Sequence, residues 1–321
     1  MTQGGGGARF SVRLAGEVKA VALNPLRGLA RHAPSPVNGV FAIGGRMLSD
    51  VAHTFEKHGD DLDDWDPDYI RQTLPFLKAT FGNYFRGEVR GLENIPAEGP
   101  ALLVGNHSGG IMIADTFVFA IGFYDHFGPE RRFHQLAHNL AARGPNMGII
   151  RSYGTLAASH ENARAAFEKG APVLVYPGGD YETFRPSWQS DKIAFGGRQG
   201  FIRLALEQGV PIIPVVAVGG QETALFLTRG QRVAKAIKLD KLARVKVLPV
   251  SIGPPYGINL LDLPGRLPLP AKITVKVLEP IDLKETFGPN PQPQKIYNRV
   301  TGQMQGALKG LQEERSLPLV G

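Results

Sequence analysis

The segment from Asn106 to Asp115 contains the residue types of a general base. An apolar run ends there in a histidine, His107, and a single carboxylate, Asp115, follows eight positions later. A histidine can deprotonate a hydroxyl when a carboxylate holds its other ring nitrogen and stabilises the imidazolium that forms. The pattern predicts such chemistry at the end of a strand, where α/β proteins place their sites.

The spacing of this pair requires a bend in the chain. On a straight helix, residues eight apart are separated by roughly 12 Å along the axis, so His107 must precede the helix that carries Asp115. We expect the glycine pair between them to fold the chain back. The alternative is that His107 caps a helix or bonds a backbone carbonyl. The residues predicted to bind substrate at this turn are Asn106, Ser108, Gly109 and Gly110.

Three further patches have compositions that suit the same site. Arg151, at the end of a short apolar run, could grip a phosphate with two hydrogen bonds, or it is an ordinary surface arginine. A second apolar run ends in Tyr176-Pro-Gly-Gly179, a turn that lets backbone approach a ligand. Val210–Val216 is an apolar strand framed by prolines, which suits the core or a tunnel wall. The patch that begins at Tyr176 is either a plain strand-to-loop turn or part of the substrate site. In the second case, its predicted substrate-binding residues are Pro177, Gly178, Gly179, Asp180, Glu182 and Arg185.

In this order, the four patches resemble the motifs of the glycerolipid acyltransferase superfamily. Asn106-His107…Asp115 resembles the first motif, NHxxxxD, and Gly148–Arg151 resembles the second, which binds the acceptor phosphate. Tyr176–Gly179 is similar to the third, commonly Phe-Pro-Glu-Gly, and Val210–Pro214 is similar to the fourth. The resemblance covers roughly residues 86 to 220. Pro-Gly-Gly followed by an acid is similar to the branch that acts on diacylglycerol-like or lysophospholipid acceptors.

The resemblance implies direct acyl transfer without a bound cofactor or metal. His107, oriented by Asp115, would deprotonate a hydroxyl of a lysolipid or glycerolipid acceptor. That oxygen would attack an acyl thioester, and coenzyme A or acyl carrier protein would leave. The lack of cysteine and of a Gly-x-Ser-x-Gly elbow agrees with transfer that forms no covalent enzyme intermediate. Two alternatives stay open: a hydrolase that activates water with the same base, and a lipid-binding protein whose site has decayed.

The chain departs from the family pattern at two positions. Seven residues, not four, separate His107 from Asp115, which bears on the local turn and on the role of the carboxylate. Gly178 stands where the third motif has glutamate, which bears on the identity of the acceptor. Glu182, three residues after Gly179, is a candidate for the missing carboxylate.

The strands and helices expected to position these residues indicate an α/β fold with a mostly parallel central sheet flanked by helices. Helical stretches are expected at Ile111–Phe123, Leu156–Lys169, Arg198–Gln208 and Ile296–Leu311. Strands alternating with helices are typical of such a sheet. The strand candidates are Glu88–Arg90, Ala101–Val104, Phe133–Leu136, Pro172–Tyr176, Ile212–Val218 and Ile273–Leu278.

We divide the chain into a helical N-terminal region, residues 1–85, and a catalytic domain, residues 86–321. The first region carries apolar residues at helical spacing over Val40–Phe55. A second helix is expected over Tyr69–Phe85, after Asp66 as N-cap and Pro67 as first residue. The aromatic residues of this N-terminal region suit docking to lipid or covering of an acyl tunnel.

Composition favours an anionic partner. The 321 residues carry a net charge of +7, and a basic surface attracts anionic lipid, nucleic acid or a coenzyme A thioester. Arg229–Lys246 alternates basic and apolar residues, as in an amphipathic helix lying on an anionic membrane, or as in a solvated helix face. No stacking aromatics interleave these charges, which argues against nucleic acid. No run of about 18 uninterrupted apolar residues occurs, so we expect a cytoplasmic protein, peripheral on the inner face of the membrane.

One apparent metal motif is rejected. His134 and His138 have the spacing of a zinc helix, but glutamine replaces the glutamate that would act as base, and the segment also fits a strand. We therefore predict no metal site.

Overall fold

A computed structural model describes residues 62–138, 142, 148–236, 247–255, 257–260, 262 and 267–315. Residues 1–61 of the N-terminal region, with the expected helix over Val40–Phe55, lie outside these residues. So does the second half of the basic segment, residues 237–246.

The core of the protein is a seven-stranded, mostly parallel sheet. Its strands are β1 (Glu88–Arg90), β2 (Leu102–Gly105), β3 (His134–Ala137), β4 (Thr155–Ala157), β5 (Val173–Val175), β6 (Ile212–Val218) and β10 (Thr274–Val277). Their order in the sheet is β1-β10-β6-β2-β5-β3-β4. Strands β6, β2, β5, β3 and β4 run parallel to one another, whereas β10 is antiparallel to β6 and parallel to β1. The predicted α/β class is confirmed, and the predicted strands differ from these bounds by at most one residue at either end.

Helices cover both faces of this sheet. Strands β2, β5 and β6 are buried along their whole length, as expected for parallel strands with helices on either side. On one face α1 and α2 share an apolar cluster with the sheet, and on the other face α4, α6 and α9 do. The helices are α1 (Pro67–Leu77), α2 (Ala114–Phe127), α3 (Gly148–Ser152), α4 (His160–Glu168), α5 (Gly179–Thr183), α6 (Gly200–Gln208), α7 (Gln231–Ala236), α8 (Leu283–Phe287) and α9 (Pro293–Glu313).

Helix α1 begins as its sequence predicts. Asp66 accepts a hydrogen bond from the backbone N–H of Tyr69 at 2.9 Å, and Pro67 is the first helical residue. Pro75 lies inside the helix, and the chain continues beyond Leu77 as a π-helical turn. The predicted helix over Tyr69–Phe85 is therefore present but changes its winding after Pro75, which removes one backbone donor.

The helix predicted over Leu156–Lys169 is wrong in its first part. Residues Thr155–Ala157 form β4, and α4 starts only after Ser159, whose hydroxyl accepts from the N–H of Asn162 at 3.0 Å. Short apolar runs fit either a buried strand or a helix, and pairing of β4 with β3 decides for the strand.

A small antiparallel sheet, absent from our prediction, follows β6. It consists of β7 (Leu225–Thr228), β8 (Val250–Gly253) and β9 (Gly257–Leu260) in that order. Among the described residues, no helix has both the length and the apolarity needed to cross a bilayer.

His134 lies at the start of β3 as a neutral, fully buried imidazole. Its Nδ1 donates to the carbonyl oxygen of Gly154 at 3.1 Å. Burial lowers the pKa of His134 to about 4, well below the value of about 6.5 expected in the unfolded chain. The unfolded state therefore binds the extra proton first as the pH falls.

We expect this histidine to make the fold acid-sensitive. Because the folded-state pKa is depressed, the free energy of unfolding should fall as the pH drops below about 6.5. The contribution of His134 is about 2 kcal/mol between pH 7 and pH 5. Urea unfolding at the two pH values checks this against His134→Gln, which keeps a donor but does not titrate. Identical pH dependence in both proteins would exclude His134 as the cause.

Candidate active site

The predicted chemistry-bearing patches meet at one edge of the sheet. Strand β2 lies between β5 and β6, all three parallel, so the residues that follow each strand are neighbours. Asn106 fixes the end of β2 to β6: its amide oxygen accepts from the N–H of Ala217 at 2.8 Å, and its amide nitrogen donates to the Ala217 carbonyl at 3.0 Å. Asn106 was predicted to bind substrate, but with 1% exposure both ends of its amide are engaged in positioning His107.

His107 and Asp115 face each other. Nδ1 of His107 lies 3.3 Å from Oδ2 of Asp115, and the histidine side chain is 13% exposed while the carboxylate is buried. The same Oδ2 accepts from the backbone N–H of Ser108 at 2.8 Å, and Oδ1 accepts from that of Thr116 at 2.8 Å. No described residue bonds the opposite ring nitrogen, Nε2, so it is the nitrogen available to a substrate.

The chain reversal expected between His107 and Asp115 is present. Gly109 and Gly110 have φ values of 92° and 68°, and a 3₁₀ turn over Gly110–Met112 follows. These values lie in the left-handed region that glycine adopts without steric cost. The turn absorbs the three additional residues and brings Asp115, at the start of α2, back to the imidazole.

The buried pair Glu182 and Arg185 holds the backbone of His107. Oε2 of Glu182 accepts from the His107 N–H at 3.0 Å, and Nη1 of Arg185 donates to the His107 carbonyl at 2.7 Å. The other carboxylate oxygen accepts from the N–H of Ala194 at 2.8 Å. Both side chains were predicted to bind substrate; both are at most 1% exposed, and in this structure they bind the backbone of His107.

The Glu182 carboxylate also explains the glycine at position 178. A Cβ atom placed on Gly178 would overlap the Glu182 carboxylate and lie 2.5 Å from its Cβ. The Glu182 side chain, one helical turn later, thus fills the space that a side chain at position 178 would enter. Burial raises the pKa of Glu182, although Arg185 and the two backbone donors oppose that shift.

Three more side chains, none of them predicted from a motif, hold the turn. Gln221 Oε1 accepts from the N–H of Gly109 at 3.4 Å, and Thr183 Oγ1 donates to the carbonyl of Gly110 at 3.2 Å. Asp262 Oδ2 accepts from the N–H of Ile111 at 2.8 Å. A Cβ atom on Gly110 would overlap this Asp262 oxygen. The His107 turn is therefore fixed from α5, from the segment after β6 and from the small sheet.

An aromatic ring connects His107 to an apolar cavity. The ring of Tyr176 stacks on the imidazole with centroids 4.2 Å apart, and its hydroxyl lies 2.7 Å from Oγ1 of Thr116. Thr116 lines the cavity, which lies between α1, α2, α3 and β3. Its other walls are Leu77, Ile113, Phe117, Ala120, Ile121, Gln135, Ile149, Ile150 and Tyr153.

Arg151 lies apart from the contacts around His107. Its guanidinium is buried, donates to the carbonyl of Ala142 at 3.0 Å and lies 3.9 Å from Asp64. Its interactions hold α3 in place, and a contact with an acceptor phosphate stays a prediction.

The exposed side of the third motif is held by Arg198. The Arg198 guanidinium donates to the carbonyls of Pro177 and Gly178 at 3.0 and 2.8 Å, and it pairs with Asp180 at 3.4 Å. Pro177, Gly179 and Asp180 are partly exposed and Gly178 is buried, so three of the residues predicted to bind substrate remain accessible to a ligand here.

Fold and site together define an α/β protein with a histidine–carboxylate pair at the carboxyl edge of its sheet. Residues 86–218 match the model of the Acyltransferase family. The match includes all four motifs, so this part of the chain is similar to the Acyltransferase family.

Several relatives share part of the chain. It is 28% identical over 80% of its length to an uncharacterized protein of Mycobacterium leprae, and it spans 65% of that relative. It is 30% identical to a bovine "DGAT1/2-independent enzyme synthesizing storage lipids" over 46% of this chain and 43% of the relative. A crystal structure of the acyltransferase PlsC from Thermotoga maritima covers 85% of this chain and 90% of its own, with a TM-score of 0.49 and 17% identity. The chain thus spans less than two thirds of the mycobacterial and bovine relatives.

Proposed function

We propose that this protein transfers a fatty acyl group from an acyl thioester to a hydroxyl of a lysophospholipid or glycerolipid. The observation that carries the proposal is the His107–Asp115 pair, with Nδ1 directed at the carboxylate and Nε2 open. The match of residues 86–218 to the Acyltransferase family supports it.

The geometry suits a single displacement. Nε2 of His107 removes the proton of the acceptor hydroxyl, while Asp115 stabilises the imidazolium that results. The acceptor oxygen forms a bond to the thioester carbonyl carbon, the carbon–sulfur bond breaks, and the thiolate takes the proton from the imidazolium. An ester and free coenzyme A or acyl carrier protein are the products.

The apolar cavity between α1, α2 and α3 lies near the proposed base. Its lining is aliphatic and aromatic except for Thr116 and Gln135, and Thr116 contacts the tyrosine that stacks on His107. Its volume of about 10 Å³ has room for about one water molecule. An acyl chain could enter it only if its walls moved apart.

Among these acceptors, we propose one other than lysophosphatidic acid, because Gly178 replaces the glutamate of the third motif. Gly178 has no side chain, and the nearby Glu182 carboxylate is buried against backbone donors. A relative named for storage-lipid synthesis and a plant relative named phytyl ester synthase 2, 30% identical over 41% of this chain, support a neutral or singly acylated acceptor.

We also propose that the protein is cytoplasmic and lies peripherally on the inner face of an anionic membrane.

The test is an assay of thiol release from acyl-coenzyme A and from acyl carrier protein with a panel of lysolipid and glycerolipid acceptors. Ester product that requires an acceptor supports transfer. Free fatty acid without acylated product would show hydrolysis by the same base. Lipid binding without turnover of any donor would show a decayed site.

A separate prediction concerns Asp262, which holds the 3₁₀ turn without touching the base. Asp262→Ala removes the acceptor for the Ile111 N–H and should lower kcat roughly tenfold, because small displacements of a base are costly. Asp262→Asn keeps an acceptor oxygen and should restore most of the rate. Asp282→Ala is the matched control, since Asp282 accepts in the same way from the N–H of Glu285 in α8. Equal rates in both alanine variants would mean that Asp262 does not position the turn.

A further inference from the structure

The small sheet presents an apolar face to solvent. Leu225, Ile252 and Ile258 are directly paired across β7, β8 and β9, and Leu260 lies two residues beyond Ile258 on the same side. Their exposed fractions are 46%, 37%, 69% and 57%. We call these four residues the apolar face. The row beneath it, Phe226, Ser251 and Asn259, is buried.

This arrangement inverts the usual pattern of a sheet that meets water. An antiparallel sheet on a protein surface normally turns polar residues outward and apolar residues inward. Here two of the three inward residues in the paired row are polar, and all members of the apolar face are aliphatic. None of the twelve strand residues is charged, although charged residues commonly protect exposed strands from association.

The other exposed large apolar side chains of the described residues belong to segments that are bonded to the small sheet or lie next to it. Trp188 lies in a 3₁₀ turn whose Ser187 hydroxyl accepts from the N–H of Phe226 in β7. The Leu267 N–H bonds the carbonyl of Pro254, directly after β8, and Tyr84 donates to the carbonyl of the adjacent Pro268. Exposed apolar side chains gathered in one region of a surface mark an interaction site.

The small sheet is also tied to the His107 turn. Ile111 is 45% exposed and is joined through its N–H to Asp262, two residues after β9. Ile111 is thus held to the segment that follows the small sheet, and it lies four residues after His107. A surface that covers the apolar face would therefore lie near this turn.

Two positively charged residues follow β7 closely in the sequence. Helix α7 begins three residues after β7 and carries Arg232 and Lys235, both exposed, and no described carboxylate lies within ion-pair distance of either. Aliphatic side chains beside unpaired cations are the features of a surface that lies in the interface of an anionic bilayer.

We propose that the apolar face is a membrane-docking surface that seats the His107 turn on an anionic lipid bilayer. This inference rests on the proposed function in one respect: the docked bilayer supplies the lipid acceptor. The aliphatic side chains enter the acyl boundary, Arg232 and Lys235 lie at the headgroups, and Ile111 lies where an acceptor leaves the lipid.

The experiment compares flotation of the protein with vesicles of phosphatidylcholine and with vesicles in which about one third of the lipid is phosphatidylglycerol. Ile258→Ser combined with Leu260→Ser should lower the vesicle partition constant at least about tenfold. Arg232→Gln with Lys235→Gln should lower it several-fold on anionic vesicles only, and high salt should remove that difference. Lys284→Gln with Lys295→Gln, which removes two exposed cations from α8 and α9, is the matched control and should bind as the unaltered protein does.

Acyl transfer to a water-soluble, short-chain acceptor separates this proposal from the proposed function. The Ile258/Leu260 variant should keep its rate with that acceptor and its thermal unfolding midpoint. Lost flotation with retained soluble activity supports docking. Equal flotation of variant and unaltered protein would overturn it, as would apolar-face variants that convert an oligomer to a monomer without affecting flotation. Flotation lost in the variant, with no transfer by any form, would leave docking standing and remove the transferase.

Discussion

His107→Ala is expected to lower kcat for acyl transfer at least about a hundredfold, the usual scale for loss of a general base. The imidazole is held on one side by Asp115 at 3.3 Å and is partly exposed on the other, so its removal takes away the proton acceptor and little else. The donor thioester would still bind, and its KM should change far less than kcat. Thiol release from acyl-coenzyme A, followed spectrophotometrically, measures both constants.

The control for this variant is His160→Ala. His160 is exposed at the start of α4 and lies outside the contacts that fix the turn. Asp115→Asn adds a second test, because it keeps the size of the side chain but removes the charge that stabilises the imidazolium. Its rate should fall between those of the unaltered protein and of His107→Ala. A His107→Ala protein that is folded and retains activity within a few-fold would exclude histidine as the base.

The sequence was sufficient to predict the main sheet because its strands are short apolar runs that end at turns. Strand β6, Ile212–Val218, has the predicted bounds, since a run that is buried on both faces has no polar residue to blur its limits. The small sheet was missed for the opposite reason. Its strands have four residues each, so the apolar–polar alternation in β8 and β9 is at the lower limit of what predicts a strand, and β7 does not alternate.

Site residues could be predicted where the residue type itself indicates the chemistry. Residues that only hold other residues in place were harder to predict. The pairing of His107 with Asp115 could be predicted because both residue types stand beside a glycine turn. The direction of a buried side chain depends on packing between distant segments, and the sequence therefore did not indicate that Glu182 and Arg185 hold the His107 backbone. Asp262 reaches the turn from 151 positions away along the chain, and nothing near it in the sequence marks that contact.

The second large effect is expected at Glu182, on stability. Glu182→Ala should lower the free energy of unfolding by about 3 to 5 kcal/mol, the range for removing one partner of a buried ion pair. Arg185 would stay buried without its carboxylate, and the N–H groups of His107 and Ala194 would lose their acceptor. Urea unfolding measures the change. Glu168→Ala is the control, because its pair with Arg164 is exposed and should contribute less than about 1 kcal/mol.

The relation between Gly178 and Glu182 sharpens this prediction into a double-variant experiment. Gly178→Glu alone restores the residue typical of the family's third motif but forces a second carboxylate into the space that Glu182 fills, so it should cost at least about 2 kcal/mol. Gly178→Glu combined with Glu182→Ala removes the overlap and returns one carboxylate to the same region beside Arg185. If the two positions are alternative sources of one buried carboxylate, the double variant should be more stable than Glu182→Ala. A double variant whose loss equals the sum of the two single losses would mean that the sites are independent. In that case the glycine would have to be explained by the turn itself, and the role of Glu182 would be limited to holding His107.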